Sequence, residues 1–161
     1  MPDKLTLMFV CTHNRCRSIL CEALARELGE GRITALSAGS TPSGVVHPDT
    51  LATLGGLGIE TEGLHSKSWD DCEEMAPDAV ITVCDSAAGE PCPLWLSDTV
   101  IAHWGLPDPS KVEDLRERAA AFDRVVGMIK DRLQRLLAHD FSQLEGDKLR
   151  DALEHIAKTA A

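Results

Sequence analysis

The residues best suited to chemistry are Cys11 and Arg17, which stand six positions apart, and Ser18, which follows the arginine directly. The arginine side chain is a permanently charged planar fork that can bind two oxygens of a tetrahedral oxyanion at once. Backbone N–H groups, a guanidinium and a hydroxyl beside a thiol all favour its thiolate form, and the thiolate is the nucleophile. The pattern therefore predicts that Cys11 attacks an oxyanion held by Arg17.

The elements on either side of this loop indicate how it is positioned. The apolar run Leu5–Val10 is typical of a strand buried on both faces, and residues 19–28 repeat apolar positions at helical spacing. The loop between them lies at a helix N-terminus, where backbone N–H groups and the helix dipole attract anions. The alternative is that Cys11 is an ordinary buried thiol and Arg17 a surface charge. The predicted oxyanion site is lined by the loop residues Thr12, His13, Asn14, Arg15, Cys16 and Arg17.

Further along the chain, apolar runs alternate with helical patterns, which favours a parallel α/β sheet. We expect a small sheet of about four strands flanked by helices on both faces. The predicted strands are Leu5–Val10, Ile33–Ala38, 78–83 and 100–104, and a long helix is predicted at 113–137. The domain is expected to span residues 1–139, with a C-terminal helical tail at 140–161 because apolar residues recur there at helical spacing.

Composition limits the classes of function. A chain of 161 residues is long enough for one domain with a substantial core. Its 16 basic and 26 acidic side chains give a net charge of −10, which speaks against nucleic acid or an anionic membrane as a partner. We see no signal-peptide pattern and no apolar window near the roughly 20 residues of a membrane span, so we expect a cytoplasmic protein. In that compartment six cysteines indicate metal binding or redox catalysis, and the spacing that a zinc site needs is missing.

Three reactive residues, Cys11, Cys84 and Asp108, each follow a predicted strand. The carboxyl ends of parallel strands meet at one edge of the sheet, and ligands bind there. Asp108 stands between two prolines, which stiffen its loop. The like charge of a bound oxyanion would discourage its carboxyl group from ionising, so Asp108 is a candidate general acid. The alternative is that Asp108 only caps the helix that follows.

The loop resembles that of the low-molecular-weight protein tyrosine phosphatase superfamily, whose motif is C-x5-R-S. Cys11, Arg17 and Ser18 match the motif, and Asn14 stands at the loop's usual asparagine. The resemblance implies a phosphatase-like fold, and it supports Asp108 as the acid because the superfamily uses the aspartate of an Asp-Pro pair. Known members are phosphatases or arsenate reductases, so the loop alone leaves both activities open.

Cys84 and Cys92 bear on that choice, because a reductase needs two electrons and protein thiols are natural donors. A phosphatase needs no further thiol, since water hydrolyses its phosphoenzyme. The segment from Cys84 to Pro93 resembles the thioredoxin-coupled arsenate reductases, although its cysteines are one residue further apart than in the best-known members. Ser110 follows the Asp-Pro pair, where the tyrosine phosphatases usually carry tyrosine, and the chain contains no tyrosine. The alternative is that both thiols are small buried apolar residues.

The resemblance implies that the protein reduces arsenate to arsenite, with catalytic residues Cys11, Arg17, Ser18, Asp108, Cys84 and Cys92. The oxidation would pass along a Cys11–Cys84–Cys92 disulfide relay to an external thiol reductant, which is thioredoxin, glutaredoxin or a small thiol, with no tightly bound cofactor. The partner anion would be arsenate or a phosphate- or sulfate-like oxyanion. Two alternatives stay open: phosphomonoester hydrolysis through a Cys11 phosphoenzyme, and a thiol protein that binds anions or metalloids without catalysis.

A potassium ion can stabilise this loop in known arsenate reductases. Asn14, Glu22 and Ser37 match ligand positions there. The remaining matched positions carry Ser66 and Ser68, which lack the family's carboxylate. The resemblance therefore leaves potassium binding in doubt.

Overall fold

The computed structural model describes residues 4–84, 89, 93–96 and 98–158. Its centre is a four-stranded sheet in the order β2-β1-β3-β4, in which all neighbouring strands are parallel. The strands are β1 (Leu5–Val10), β2 (Ile33–Ala38), β3 (Ala79–Thr82) and β4 (Val100–His103). This architecture confirms the predicted fold class, with the third and fourth strands slightly shorter than the sequence pattern indicates.

The register of the strands sets where their loops emerge. Val10 pairs with Ala38 on one side and with Thr82 on the other. Thr82 pairs in turn with His103. The four strands therefore end at the same level, and the residues that follow them share one edge of the sheet, as the parallel arrangement predicts.

Helices and short 3₁₀ turns connect and cover the strands. The helices are α1 (Arg17–Gly29), α2 (Pro48–Gly56), α3 (Leu115–Leu137) and α4 (Asp147–Lys158). Short 3₁₀ helices lie at Trp69–Met75, Leu94–Leu96, Pro109–Lys111 and Phe141–Gln143. Helix α1 packs against β1 and β2, and α3 packs against α1. Within the described ranges, no helix combines the length and the apolar character that crossing a membrane requires.

Helix α3 begins two residues later than the predicted start at residue 113, and its first turn shows why. The Asp114 side chain accepts hydrogen bonds from the N–H groups of Arg116 and Glu117, each at 3.0 Å. An aspartate in this position satisfies helix N–H groups that have no partner within the helix. Asp114 is therefore the cap, and the helix proper starts at Leu115.

The C-terminal segment packs on the rest of the molecule through α4. Leu149, Leu153 and Ile156 are buried, and the helix contacts β4 and α3. The indole N–H of Trp104, the residue after β4, donates to the Leu153 carbonyl at 2.9 Å. The apolar face expected at these residues thus lies against the sheet edge, while the domain boundary at residue 139 stays a prediction.

Candidate active site

The loop between β1 and α1 is open to an anion at its helix end. Helix α1 begins at Arg17, and its N-cap residue Cys16 makes no side-chain capping hydrogen bond. The helix N-terminus in this loop therefore keeps the positive end of its dipole toward the site, where an anion is stabilised.

Three carbonyl groups of the loop point to the same side of the loop. The carbonyl groups of Thr12, His13 and Arg15 accept hydrogen bonds of 2.9–3.0 Å from N–H groups in the segment 41–47. In a trans peptide the N–H of the next residue points opposite to the carbonyl. The N–H groups that follow these carbonyls therefore face away from that segment, which is the polarity that an anion-binding loop needs.

Asn14 holds the loop from beneath. It has a φ of 47°, the left-handed region that asparagine tolerates better than most residues, and it is fully buried. Its amide nitrogen donates to the hydroxyls of Ser18 at 2.8 Å and Ser37 at 3.0 Å, and its amide oxygen accepts from the N–H of Lys67 at 2.9 Å. The Asn14 side chain thus supports the loop from beneath. Its place in the oxyanion site, through its backbone N–H, stays a prediction.

Cys11 lies with the loop at the wall of a cavity of about 230 Å³. It is 4% exposed, and its sulfur lies 2.9 Å from the Ser18 hydroxyl. A hydroxyl at this distance can donate to the sulfur and stabilise the thiolate. Ser18 therefore has the position that the motif predicts for it. The cavity is lined by Cys11, Thr12, His13, Arg15, Cys16, Arg17, Cys84, Asp108 and Lys111.

Arg17 and Asp108 meet at this cavity although they are 91 positions apart in the sequence. One guanidinium nitrogen of Arg17 donates to the Leu106 carbonyl at 3.0 Å, and another lies 3.6 Å from the Asp108 carboxylate. The carbonyl contact orients the guanidinium, so that the rest of its planar fork faces the cavity.

The Asp108 carboxylate also accepts from the N–H of Ser110 at 3.0 Å and from its hydroxyl at 2.6 Å. Asp108 therefore caps the 3₁₀ helix Pro109–Lys111 and faces the cavity as well. Burial raises the pKa of this carboxyl, but the Ser110 hydrogen bonds and the Arg17 charge outweigh burial and hold its pKa below the ordinary value.

Cys84 is the second thiol of the cavity. It follows β3, is 5% exposed, and its sulfur lies 3.7 Å from the Thr12 hydroxyl. The structure thus brings two thiols 73 positions apart in the sequence, Cys11 and Cys84, to one cavity. Cys92, the third thiol of the predicted relay, lies outside the described residues.

The other cysteines of the described chain have environments that suppress ionisation. Burial raises the pKa of the Cys16 thiol to about 12, so this loop residue stays protonated at neutral pH. Burial likewise raises the pKa of Cys21 on α1 and of Cys72 in the 3₁₀ helix after β2. None of the five cysteines in the described ranges forms a disulfide.

Sequence reasoning missed two residues that shape the site. A Cβ on Gly39 would lie 2.6 Å from the Thr12 carbonyl and 2.9 Å from the Cys11 carbonyl, so only glycine fits beside the loop. A glycine directly after a parallel strand was the available signal. Lys111 lines the cavity, and its charge also helps to lower the pKa of Asp108. Its position two residues after the Asp-Pro pair was the available signal.

The family model for low molecular weight phosphotyrosine protein phosphatase matches residues 6–149. The chain belongs to this family. A curated relative named glutaredoxin arsenate reductase, from Synechocystis, is 33% identical over 132 residues, which are 82% of this chain and 95% of the relative. The membership confirms the resemblance drawn from the loop motif.

Two solved structures that resemble this chain are also described as arsenate reductases. One described as an arsenate reductase in the phosphate binding state has a TM-score of 0.69 at 32% identity, covering 83% of this chain and 97% of that one. A thioredoxin-dependent arsenate reductase of Corynebacterium glutamicum has a TM-score of 0.64 at 26% identity, covering 84% of this chain and 61% of that one. The family's fold is therefore shared over most of this chain.

Proposed function

We propose that this protein reduces arsenate to arsenite and that its own thiols carry the oxidation. The observation that carries the proposal is the cavity that holds Cys84 together with Cys11 and Arg17. Phosphoester hydrolysis needs one thiol and water, whereas a reduction needs a donor of two electrons. The names of the relatives, which are arsenate reductases, support the same activity.

In the first step, arsenate is bound by the loop N–H groups and the Arg17 guanidinium. The Cys11 thiolate attacks arsenic, and an arsenic–oxygen bond breaks as the sulfur–arsenic bond forms. Asp108 gives a proton to the departing oxygen, which leaves as water. The bound oxyanion competes for Arg17 and adds like charge beside Asp108, and both effects raise the pKa of the carboxyl so that it can act as an acid.

In the second step, the Cys84 thiolate attacks the sulfur of Cys11. The electron pair of the sulfur–arsenic bond stays on arsenic, which leaves as arsenite, reduced by two electrons. The two electrons come from the thiols, which end as a Cys11–Cys84 disulfide. Both residues line one cavity, which supports this step.

In the third step, Cys92 attacks Cys84, which frees Cys11 and leaves a Cys84–Cys92 disulfide for an external thiol reductant. The names of the relatives include a glutaredoxin system and a thioredoxin system. The reductant of this protein is therefore tested by supplying each one separately.

The deciding experiment measures arsenite production with thioredoxin, glutaredoxin or a small thiol as the reductant. We expect Cys11→Ser, Cys84→Ser and Cys92→Ser each to abolish steady-state turnover. Cys72→Ser, which changes a buried thiol outside the cavity, should keep it.

Full turnover by both Cys84→Ser and Cys92→Ser would contradict the relay. Rapid hydrolysis of an aryl phosphate without thiol consumption would identify a phosphatase, which would use the same Cys11, Arg17 and Asp108. Stoichiometric binding of arsenate without arsenite release would identify a binding protein.

A further inference from the structure

A buried carboxylate lies beneath the anion-binding loop. Glu22 on α1 is 4% exposed, and one of its oxygens accepts a hydrogen bond of 2.5 Å from the Ser37 hydroxyl. Ser37, which is fully buried, accepts in turn from the Asn14 amide. Burying an ionised carboxylate is unfavourable unless a positive charge and hydrogen bonds accompany it. The Glu22 carboxylate beneath the loop therefore needs a cation beside it.

Lys67, in the segment between α2 and the 3₁₀ helix Trp69–Met75, supplies that cation. Its ammonium lies 3.6 Å from the Glu22 oxygen that Ser37 binds, it donates to the His65 carbonyl at 3.1 Å, and the side chain is 14% exposed. Its backbone N–H donates to Asn14, and its carbonyl accepts from the N–H of Gly39 at 2.9 Å. Lys67 thus touches the loop support through both its main chain and its side chain.

The second cation on Glu22 is of a different kind. Arg26 donates to the other Glu22 oxygen at 2.7 Å, but its side chain is 44% exposed. Water and salt screen the Arg26 charge more than the Lys67 charge, because the arginine end of this pair is the more exposed. The charge that compensates Glu22 on the side of the loop is therefore that of Lys67.

The residues present do not fit the potassium ion that the family resemblance suggests. The Asn14 amide oxygen already accepts from the Lys67 N–H, and the Ser37 hydroxyl donates to Glu22. The Glu22 oxygen that accepts from Ser37 also faces the Lys67 ammonium. A hard cation needs several oxygens that point at it together, and these oxygens have other partners.

The two serines at the remaining matched positions are also engaged elsewhere. The Ser66 hydroxyl donates to the His13 carbonyl at 3.1 Å and accepts from the N–H of Gly44 at 3.1 Å. The Ser68 hydroxyl accepts from the N–H of Asp70 at 3.2 Å and so caps the 3₁₀ helix Trp69–Met75. Both hydroxyls are therefore hydrogen-bonded to backbone groups.

We propose that Lys67 is a positioning residue whose ammonium, in place of a bound potassium ion, compensates the charge of Glu22 and so stabilises the loop. Through Glu22 and Ser37 it keeps the Asn14 amide in place, and Asn14 holds the left-handed turn and the Ser18 hydroxyl beside Cys11. Because the ammonium is covalently part of the chain, its presence beside Glu22 does not depend on the potassium concentration of the solution. Oxyanion binding is therefore independent of potassium, whatever reaction follows it.

The experiment measures phosphate binding by calorimetry at constant ionic strength, with either potassium chloride or tetramethylammonium chloride. The wild-type protein should bind phosphate equally in the two salts, within about twofold. Lys67→Met should bind about tenfold more weakly in tetramethylammonium, because Glu22 loses its charge partner on the side of the loop. Potassium should partly restore this variant, because the oxygens of Glu22 and His65 that contact the ammonium remain for a small cation.

Two further variants make the result specific to the charge at this position. Lys67→Arg keeps a cation and should retain phosphate affinity within about threefold in both salts. Lys148→Met removes an exposed lysine of α4 and should behave as the wild type. The comparison of the two salts on the wild-type protein needs no variant to fold, and phosphate binding needs no arsenate reduction.

A severalfold gain in the phosphate affinity of the wild-type protein on adding potassium would overturn the proposal. So would a Lys67→Met variant that binds phosphate as the wild type does in both salts. Loss of arsenate turnover with unchanged phosphate binding would instead count against the proposed reaction and leave the role of Lys67 standing.

Discussion

Asp108 makes two sets of contacts, and both favour the loss of its proton. Arg17 and both donors of Ser110 favour the carboxylate, and together they hold the pKa of Asp108 below its ordinary value. A general acid must instead be protonated when the substrate reacts. In the mechanism that we propose, Asp108 becomes an acid when an oxyanion takes over Arg17, which would couple proton transfer to substrate binding.

Ser110→Ala tests this coupling. The substitution removes the hydroxyl that donates to Asp108 at 2.6 Å, so the pKa of the carboxyl rises. A higher pKa keeps the acid protonated to higher pH, and the alkaline fall in turnover should move upward by a fraction of a pH unit, to about one unit at most. The measurement is the pH profile of kcat.

The chain contains a matched control for that experiment. Ser142 donates to Asp140 at 2.7 Å in the same arrangement, and Asp140 also has a lowered pKa because of it. Asp140 does not line the cavity, so Ser142→Ala should leave the pH profile of kcat unchanged. A profile for Ser110→Ala that matches the control, or that moves to lower pH, would contradict the acid role of Asp108.

Burial of the Cys16 thiol in the loop raises its pKa. With a pKa near 12, about one part in ten thousand of this thiol is ionised at pH 8. We expect iodoacetamide to leave Cys16 unmodified in the folded protein at pH 8 and to modify it at increasing rates as the pH rises. Peptide mass spectrometry would give the rate, with urea-unfolded protein as the reference. Equal rates in folded and unfolded protein would show that Cys16 is not shielded.

At the scale of elements, the loop depends on how closely the end of β2 approaches it. The ideal Cβ at position 39 meets three backbone atoms of the loop within 3.0 Å, and backbone atoms cannot move aside as a side chain can. We expect Gly39→Ala to destabilise the protein by about 1–3 kcal/mol and to weaken phosphate binding about tenfold or more. Chemical denaturation and calorimetry would measure the two effects.

Gly127 supplies the control for this glycine. It is exposed within α3, and a Cβ there would have no neighbour within 4 Å. Gly127→Ala should therefore stabilise the protein by about 0.5–1 kcal/mol, since alanine is the better helix former, and leave phosphate binding unchanged. If Gly39→Ala also bound phosphate normally, the close approach of β2 would not matter to the loop.

At the scale of the whole molecule, α4 joins the C-terminal segment to the core. Leu153 is fully buried against the region of β4, and we expect Leu153→Ala to cost about 2–5 kcal/mol because it leaves a cavity. Asp151→Ala, on the exposed side of α4, should change stability by less than about 0.5 kcal/mol. Denaturant unfolding followed by circular dichroism would measure both.

The same experiment tests the predicted boundary at residue 139. A single cooperative transition, shifted as a whole by Leu153→Ala, would mean that α4 unfolds together with the domain. A separate early transition affected only by this substitution would mean that residues 140–161 form an independent tail. The buried face of α4 and its hydrogen bond from Trp104 favour the first result.

The sequence by itself determined the parts of this protein that are local in the chain. The strand Leu5–Val10, the loop that follows and the helix after it are adjacent, so hydrophobic pattern and residue spacing were sufficient to predict the strand, the loop and the helix. The roles of Cys11 and Arg17 stay predictions. The alternation of strands and helices likewise predicted the parallel sheet, because a crossover helix is what allows neighbouring strands to run in the same direction.

The tertiary structure decided everything that depends on contacts between distant segments. The pairing of Arg17 with Asp108 joins positions 91 residues apart, and the approach of Gly39 and Lys67 to the loop depends on how β2 and the segment after α2 lie beside β1. No spacing in the chain encodes such contacts, because they result from the register of the strands and the packing of the whole core. For the same reason the sequence did not predict that Lys67 lies beneath the loop, where the family resemblance had suggested a potassium site.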